Sequence, residues 1–132
     1  MTPIDRIHAL YAAFGRGDIP TILEQLSPEV EWEYGAQPNP IPWLQPRHGH
    51  AGARTFFEEL GQQMRIEHFA PKHIVADGAI VVVVLDITFV VLATGKRVVE
   101  EDEVHLWRFG DDGRIARFRH RLDTALQAAA CA

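Results

Sequence analysis

The sequence is short of cysteine, of net positive charge and of long apolar runs, and each shortage excludes a class of protein. Cys131 is the only cysteine, so the chain cannot form an internal disulfide. The 13 basic residues are outnumbered by 18 acidic ones, and the formal net charge of −5 argues against nucleic-acid binding through a cationic face. The longest apolar stretch, residues 79–91, contains Asp86 and is too short to span a bilayer as a helix. We therefore expect neither a nucleic-acid partner nor a membrane partner.

Motifs for cofactors are also missing. The sequence has no Gly-rich phosphate loop, no dinucleotide fingerprint and no Ser–His–Asp spacing. His48 and His50 are one residue apart, but no third ligand follows at a recognisable spacing, so we predict no metal site. We also expect no cofactor. The first residues include Asp5 and Arg6 instead of the apolar run of a signal peptide, and together with the lone cysteine this favours a cytoplasmic location.

The composition is that of one folded domain, which we place at residues 1–132. Hydrophobic residues make up 47% of the chain and charged residues 23%, as in ordinary globular proteins. Thr2, Pro3 and Asp5 predict the start of a helix. Further patterns predict helices after Asp18 and over 50–63, a strand over 30–34, a proline-rich loop over 35–49, a strand broken near Pro71, and three strands over 79–122. Helices followed by a run of strands predict an α+β fold.

The last three strands carry the candidate catalytic residues. With turns at Thr94-Gly95 and at 110–113, Asp86 lies opposite Glu103, and Glu103 lies opposite His120. Asp86, Glu103, His105 and His120 then share one face, an inference that a one-residue slip would reverse. Asp86 is the strongest indicator, because a lone carboxylate in an apolar strand needs a partner or a wet cavity. The alternative is a buried polar network that only fixes the register.

The opposite face of the first of these strands is apolar too. It presents Val81, Val83, Leu85, Ile87, Phe89 and Val91. Helices of the same chain can cover one apolar face, and the other face needs a partner, most simply a second copy of the chain. We therefore expect a homodimer packed through the sheet.

Several segments resemble the SnoaL-like family of the nuclear transport factor 2-like superfamily, which includes ketosteroid isomerase. The segments are Tyr11–Phe14 with Gly17-Asp18, Val30–Glu33, Glu103–Phe109, Asp112–Ile115 and Phe118–Ala125. The resemblance covers nearly the whole chain and implies a cone-shaped, strongly bent antiparallel sheet wrapped around three N-terminal helices, with an open-ended pocket. Because this fold hosts enzymes, ligand binders and interaction modules, the resemblance alone does not define a reaction.

The catalytic residues of ketosteroid isomerase do not carry over. Tyr34 falls at the position of its general-base aspartate, and His105 falls at that of its protonated aspartate. Leu10 takes the place of its oxyanion-hole tyrosine, with Tyr11 one position away. In the related limonene epoxide hydrolases, a catalytic aspartate on the last strand matches His120 here. The resemblance thus implies a pocket lined by Tyr34 and His105, with other chemistry.

We interpret the protein as one that binds a small apolar or polycyclic molecule and performs acid/base chemistry of the isomerase, cyclase or hydrolase type. His120 would handle the proton together with Asp86 or Glu103. The candidate ligand-binding residues are aromatic or adjacent to the cluster: Tyr11, Trp32, Tyr34, Trp43, Phe57, Trp107 and Phe118. Trp43 lies in the proline-rich loop, where we expect a lid over the pocket. The alternative is a non-catalytic dimeric module that binds a ligand or another protein.

Overall fold

The computed structural model describes residues 1–132, which form four helices and one six-stranded sheet. The helices are α1 (Pro3–Arg16), α2 (Ile19–Glu24), α3 (Gly49–Gln63) and α4 (Thr124–Cys131). The strands are β1 (Leu26–Trp32), β2 (Arg47–His48), β3 (Met64–Asp77), β4 (Ile80–Val91), β5 (Arg97–Phe109) and β6 (Ile115–Arg121). No helix is both long enough and apolar enough to cross a membrane.

The helix ends follow from local hydrogen bonding. Thr2 and Asp5 form the predicted capping box, in which each side chain accepts from the other residue's backbone N–H. Gly17 ends α1 with a left-handed φ of 68°, a conformation that glycine adopts without a steric penalty. Asp18 then caps α2 by accepting from the backbone N–H of Thr21. These predicted helix starts are confirmed.

The sheet has the order β2-β1-β6-β5-β4-β3 and is bent and open. The α+β fold class is confirmed. All neighbouring strands are antiparallel except β1 and β6, which run parallel. The predicted break at Pro71 is wrong, because β3 is continuous there and only shifts its register between Pro71 and His73. The inner face of the sheet packs on the helices and, with them, forms one core of 26 buried apolar residues.

The hairpin between β4 and β5 differs from the prediction by one residue. Its turn holds four residues, 92–95, because the backbone N–H of Val91 donates to the carbonyl of Lys96 over 2.8 Å. This longer turn shifts the register by two residues, and a bulge in β5 at residues 101–102 takes one of them back, so Val83, not Val84, lies opposite His105. A slip of one residue moves every side chain of a strand to the other face. The predicted register is therefore wrong for β4, and this moves Asp86 off the face of the sheet that it was predicted to share with Glu103 and His105.

Leu85, not Asp86, lies opposite Glu103 and points toward the helices. Asp86 points to the outer face of the sheet, so the structure removes it from the predicted cluster. Two residues of β5, Glu101 and Asp102, stand opposite Asp86, and Asp102 has a left-handed φ of 60°. This bulge changes the phase of β5, so Glu100 and Glu103 both become buried although they are three residues apart.

The hairpin between β5 and β6 differs by two residues, which leaves the faces unchanged. His105 lies opposite His120, and Trp107 lies opposite Phe118. Glu103 and the two histidines therefore share the inner face as predicted, although the predicted pairing of Glu103 with His120 is wrong.

Candidate functional site

A largely aromatic cavity lies between the helices and the inner face of the sheet. It holds about 560 Å³ of space between the atoms, including its open mouth. The free volume enclosed within it is only about 60 Å³, so the aromatic side chains nearly fill this space, and a small-molecule ligand would have to move some of them apart. Fifteen of its 19 lining residues are hydrophobic: Leu10, Tyr11, Phe14, Trp32, Trp43, Phe56, Phe57, Leu60, Met64, Ile66, Phe69, Ile87, Phe89, Trp107 and Phe118. The other four are Glu103, His105, His120 and Gln127, so all the charged and amide groups of the wall come from β5, β6 and α4.

Six of the seven predicted ligand-binding residues line this cavity: Tyr11, Trp32, Trp43, Phe57, Trp107 and Phe118. Tyr34 does not, and this prediction is wrong. Glu33 has a left-handed φ of 54°, which breaks the alternation of side chains after Trp32. Tyr34 consequently turns outward, where its hydroxyl accepts from Arg108 Nε over 2.8 Å and Arg119 lies over its ring.

His120 is held by a buried carboxylate that the sequence analysis did not include. Glu33 Oε1 forms a hydrogen bond with Nδ1 of the His120 ring and also accepts one from the His120 backbone N–H over 2.8 Å. The Glu33 side chain is 2% exposed and that of His120 is 11% exposed, so most of the pair is buried. Burial lowers the pKa of His120, but the negative charges of Glu33 and Glu103 outweigh burial and raise this pKa above its ordinary value. The protonated form of His120 is therefore favoured at this position.

His105 has a different environment, although its ring centre is only 4.8 Å from that of His120. Trp107 Nε1 donates to the Tyr11 hydroxyl over 3.2 Å, and Tyr11 Oη lies 2.6 Å from His105 Nδ1. The indole N–H can only donate, so the Tyr11 oxygen accepts from it and the Tyr11 O–H remains available to donate to His105 Nδ1. Because Nδ1 then accepts, the ring proton of His105 resides on Nε2. Burial lowers the pKa of His105, and the nearby His120 lowers it further despite Glu103. His105 is thus the neutral imidazole of the two.

Glu103 lies at the end of this chain of hydrogen bonds. Its Oε2 is 3.5 Å from His105 Nε2, and its Oε1 accepts from Gln127 Nε2 over 3.1 Å. Burial raises the pKa of Glu103, but the hydrogen bond to His105 and the charge of His120 outweigh it, and the pKa is lowered. Glu103 is therefore a carboxylate at neutral pH, although its side chain is 4% exposed.

Gln127 joins α4 to the proline-rich loop. Its side chain is fully buried; it donates to Glu100 and Glu103 and accepts from Trp43 Nε1 over 2.7 Å. Trp43 is 3% exposed and packs edge-on against Phe89, so it forms a fixed part of the cavity wall. The predicted Trp43 position at the cavity thus depends on a residue of the C-terminal helix.

Asp86 has partners of its own on the outer face. Lys72 Nζ lies 2.8 Å from Asp86 Oδ1 and 2.6 Å from Asp102 Oδ1. The hydrogen bond from Lys72 lowers the pKa of Asp86. The carboxylate that is isolated in the sequence is therefore paired across the bulge, and nothing connects it to the histidines.

Glu33, Glu100 and Gln127 are the polar residues that sequence reasoning missed. Alternation along the strand predicted over 30–34 would place Glu33 on the solvent side, and no local pattern signals its left-handed backbone. Gln127 lies in the C-terminal segment, outside the predicted helices and strands. Asp123 was the available signal, because it caps α4 by accepting from the Leu126 backbone N–H.

A second, polar cleft lies behind the His120–Glu33 pair. It has about 770 Å³ of space, counted to its open surface, and Glu33, Asn39, Arg119, Arg121 and His120 are among its lining residues. His120 lines both this cleft and the aromatic cavity. The wall between the two spaces is therefore one side chain thick at this point.

The bent, open sheet packed on N-terminal helices defines an NTF2-like fold. Within this class, the chain belongs to the SnoaL-like domain family, whose pattern matches residues 7–118. An NTF2-like protein from Burkholderia xenovorans LB400 is 25% identical, with a TM-score of 0.87 over 98% of this chain and 95% of that one. An NTF2-like protein of unknown function from Burkholderia pseudomallei K96243 is 27% identical, with a TM-score of 0.81 over 99% and 98%.

A further similar structure is that of TerC co-crystallized with polyporic acid. It is 29% identical and has a TM-score of 0.75 over 98% of this chain and 97% of that one. No curated protein matches the sequence.

Proposed function

We propose that the protein binds a small, mostly apolar molecule in the aromatic cavity and transfers protons to or from it with His120. The observation that carries this proposal is the convergence of two histidines and one glutamate at the end of an otherwise apolar cavity, where the pKa of His120 is raised and the pKa values of His105 and Glu103 are lowered. Titratable groups with pKa values shifted in opposite directions are typical of acid/base sites. The reaction class would be isomerisation, cyclisation or water addition.

Glu33 takes the role that the sequence analysis gave to Asp86. Its carboxylate is bonded to Nδ1 of His120, which leaves Nε2 as the ring nitrogen available to a ligand. The outer cleft reaches both residues from the solvent side, so a proton that His120 gains or loses has a short route to water. His105, Tyr11 and Glu103 would orient the ligand by hydrogen bonds.

Trp32 supports a ligand that carries an oxygen atom. Its indole N–H is buried without a hydrogen-bond partner in the protein, and the residue lines the cavity. A buried donor without a partner destabilises the folded state by about 1–3 kcal/mol. A carbonyl or hydroxyl oxygen of the ligand would satisfy it, while the rings around it pack against a flat apolar body.

Binding is tested first, with polyporic acid as the probe because of the similarity to TerC. We expect quenching of tryptophan fluorescence and movement of the His105 and His120 imidazole signals in NMR spectra. The exposed His73 on β3 is the internal control, and its signal should stay in place. Equal movement of all three histidine signals would contradict binding in the cavity.

Proton transfer is tested by deuterium incorporation. Each ligand that binds is incubated with the protein in D₂¹⁸O. Mass spectrometry measures deuterium on carbon, which isomerisation or cyclisation through a carbon acid introduces, and ¹⁸O, which water addition introduces. We expect incorporation with wild-type protein and with Asp86→Asn, and none above background with His120→Gln. Binding without incorporation in wild-type protein would favour the alternative, a non-catalytic ligand-binding module.

We also propose that the protein is a homodimer through the outer face of the sheet. This face carries apolar side chains that no helix covers: Val75, Val82, Val84, Val99, Val104 and Leu106. Val75 and Val99 are 60% and 63% exposed. Contiguous exposed apolar side chains are typical of protein–protein interfaces. Light scattering at micromolar concentration should give the mass of a dimer, and Leu106→Glu should give a monomer; a monomeric wild-type protein would remove the proposal.

A further inference from the structure

We infer that Glu103, His105 and His120 form a binding site for a divalent transition-metal ion such as Zn²⁺, Co²⁺ or Fe²⁺. One ligand atom from each of the three residues lies within 4.8 Å of the other two. Two histidines and one carboxylate are a recurring ligand set for zinc and for non-haem iron. This inference does not depend on the proposed function, because it concerns only what the three side chains bind.

The distances allow an ion with small side-chain movements. A point equidistant from three atoms that are 4.8 Å apart lies about 2.8 Å from each of them. Zinc binds nitrogen and oxygen at about 2.0–2.2 Å, so each ligand atom has to move by roughly 0.7 Å at most. His105 Nε2 and Glu103 Oε2 are already closer, at 3.5 Å. Both histidines are on adjacent positions of neighbouring strands, which fixes their backbones relative to each other.

Each of the three residues is oriented by an outer partner, as metal ligands usually are. His120 Nδ1 is bonded to the Glu33 carboxylate, so Nε2 is directed into the cavity. Glu103 Oε1 accepts from Gln127, which leaves Oε2 for an ion. A histidine ligand commonly coordinates the metal through one ring nitrogen while its other ring nitrogen is hydrogen-bonded to an oxygen, often that of a carboxylate.

His105 fits the same arrangement after a change of tautomer. Its Nδ1 lies 2.6 Å from the Tyr11 oxygen, which already accepts from Trp107. This oxygen has two lone pairs, so it can accept from His105 Nδ1–H as well, and Nε2 then offers its lone pair to an ion.

The charges around the site also favour a cation. Glu33 and Glu103 are buried carboxylates at 1% and 3% exposure, and no lysine or arginine lines the cavity. A divalent ion would replace the proton that His120 otherwise holds, which is released on binding, and it would balance the two negative charges. Three protein ligands leave at least one position of the ion open toward the aromatic cavity, as in catalytic rather than structural zinc sites. An oxygen of a bound molecule would occupy that position.

Metal binding is measured on untagged protein that has been stripped with a chelator and dialysed. Titration with Co²⁺ is followed by its visible d–d absorption, and titration with Zn²⁺ is followed by calorimetry. We expect one ion per chain. His105→Asn and His120→Asn should weaken binding by more than about 100-fold, and the outer-partner variant Glu33→Gln by about 10- to 100-fold. His73→Asn, at an exposed histidine of β3, is the matched control and should bind as wild type does.

Circular dichroism verifies that each variant is folded. If a histidine variant does not fold, the isosteric Glu103→Gln decides in its place, since the amide keeps the volume and removes the charged ligand. The inference is overturned if the stripped protein binds no ion at one equivalent, or if the Co²⁺ spectrum survives in the folded His105, His120 or Glu103 variants. Because no turnover is measured, failure here leaves the proposed proton transfer untouched. Success would restrict that transfer to the metal-free protein, because a bound ion would occupy His120 Nε2.

Discussion

Replacement of Glu33 by glutamine tests the central pair of the site. The amide keeps the shape and one oxygen acceptor but removes the charge. Glu33 Oε1 takes part in two hydrogen bonds, to the backbone N–H and to the ring of His120. Hydrogen bonds to a charged group contribute about 1.5–3 kcal/mol, against about 0.5–1.5 kcal/mol for neutral partners, so each bond should lose about 1 kcal/mol. We expect Glu33→Gln to destabilise the protein by about 2 kcal/mol.

For a chain of 132 residues, this corresponds to a fall of roughly 7 °C in the melting temperature. Urea denaturation followed by tryptophan fluorescence measures the free energy of unfolding directly. NMR titration should in addition show a lower pKa for His120 in the variant, because the negative charge of Glu33 is what chiefly counters burial there.

The matched control is Glu29→Gln, which alters the same kind of pair at the surface. Glu29 Oε2 lies 3.1 Å from His48 Nε2, but the two side chains are 82% and 68% exposed. Exposed pairs contribute little, and we expect a change of less than about 0.5 kcal/mol. If Glu33→Gln is as stable as Glu29→Gln, or if the pKa of His120 stays the same, the assignment of Glu33 as the partner of His120 is refuted.

Three further predictions concern pH, the buried amide and the outer face. The raised pKa of His120 means that the folded protein holds a proton that the unfolded chain releases, so the free energy of unfolding should fall as pH rises above about 6.5, by at most about 1.4 kcal/mol per pH unit. The lowered pKa of His105 has the opposite effect below about pH 6.5, where protonation of the unfolded chain should lower the free energy of unfolding as the pH falls. Urea denaturation midpoints measured across this pH range check the His120 and His105 predictions, and midpoints that do not change with pH would contradict both of them. Gln127→Leu leaves Trp43 Nε1 and two carboxylates without their partner and should destabilise by at least about 3 kcal/mol, whereas a loss below 1 kcal/mol would show that water replaces the amide. Asp86→Asn should leave the NMR titration of His120 unchanged, and any clear movement would place Asp86 back in the cluster.

The fold was predictable from the sequence because its signals are local. Thr2 with Asp5 and Asp18 mark helix starts by bonds that span three residues, and these were confirmed in the structure. The order of helices and strands likewise follows from short patterns of apolar residues. Such patterns need no knowledge of distant contacts.

The site was predictable only where an error in strand register left the side chains on the correct face of the sheet. An error of two residues in the second hairpin left Glu103, His105 and His120 on one face, because side chains alternate with a period of two. An error of one residue in the first hairpin moved Asp86 to the wrong face. The odd shift in the first hairpin comes from the bulge at residues 101–102, which no local sequence pattern signals. The turn of the second hairpin is one residue longer than predicted, although it contains Asp112-Gly113.

Glu33 and Gln127 could not be found by the same reasoning. The inward position of Glu33 results from a left-handed backbone, which non-glycine residues adopt only when the surrounding contacts favour it. Gln127 reaches its partners across 24 or more residues of sequence. Contacts of this kind belong to the folded structure and leave no periodic signal in the sequence.

The thinness of the wall at His120 makes the cavity open to redesign. A glycine at this position would remove the only side chain that lines both the aromatic cavity and the outer cleft. The two spaces would then join into a passage, with one apolar end and one end that carries arginines. Free imidazole diffusing into the gap could take the place of the missing ring, so the same protein would serve as a scaffold whose proton carrier is supplied from solution.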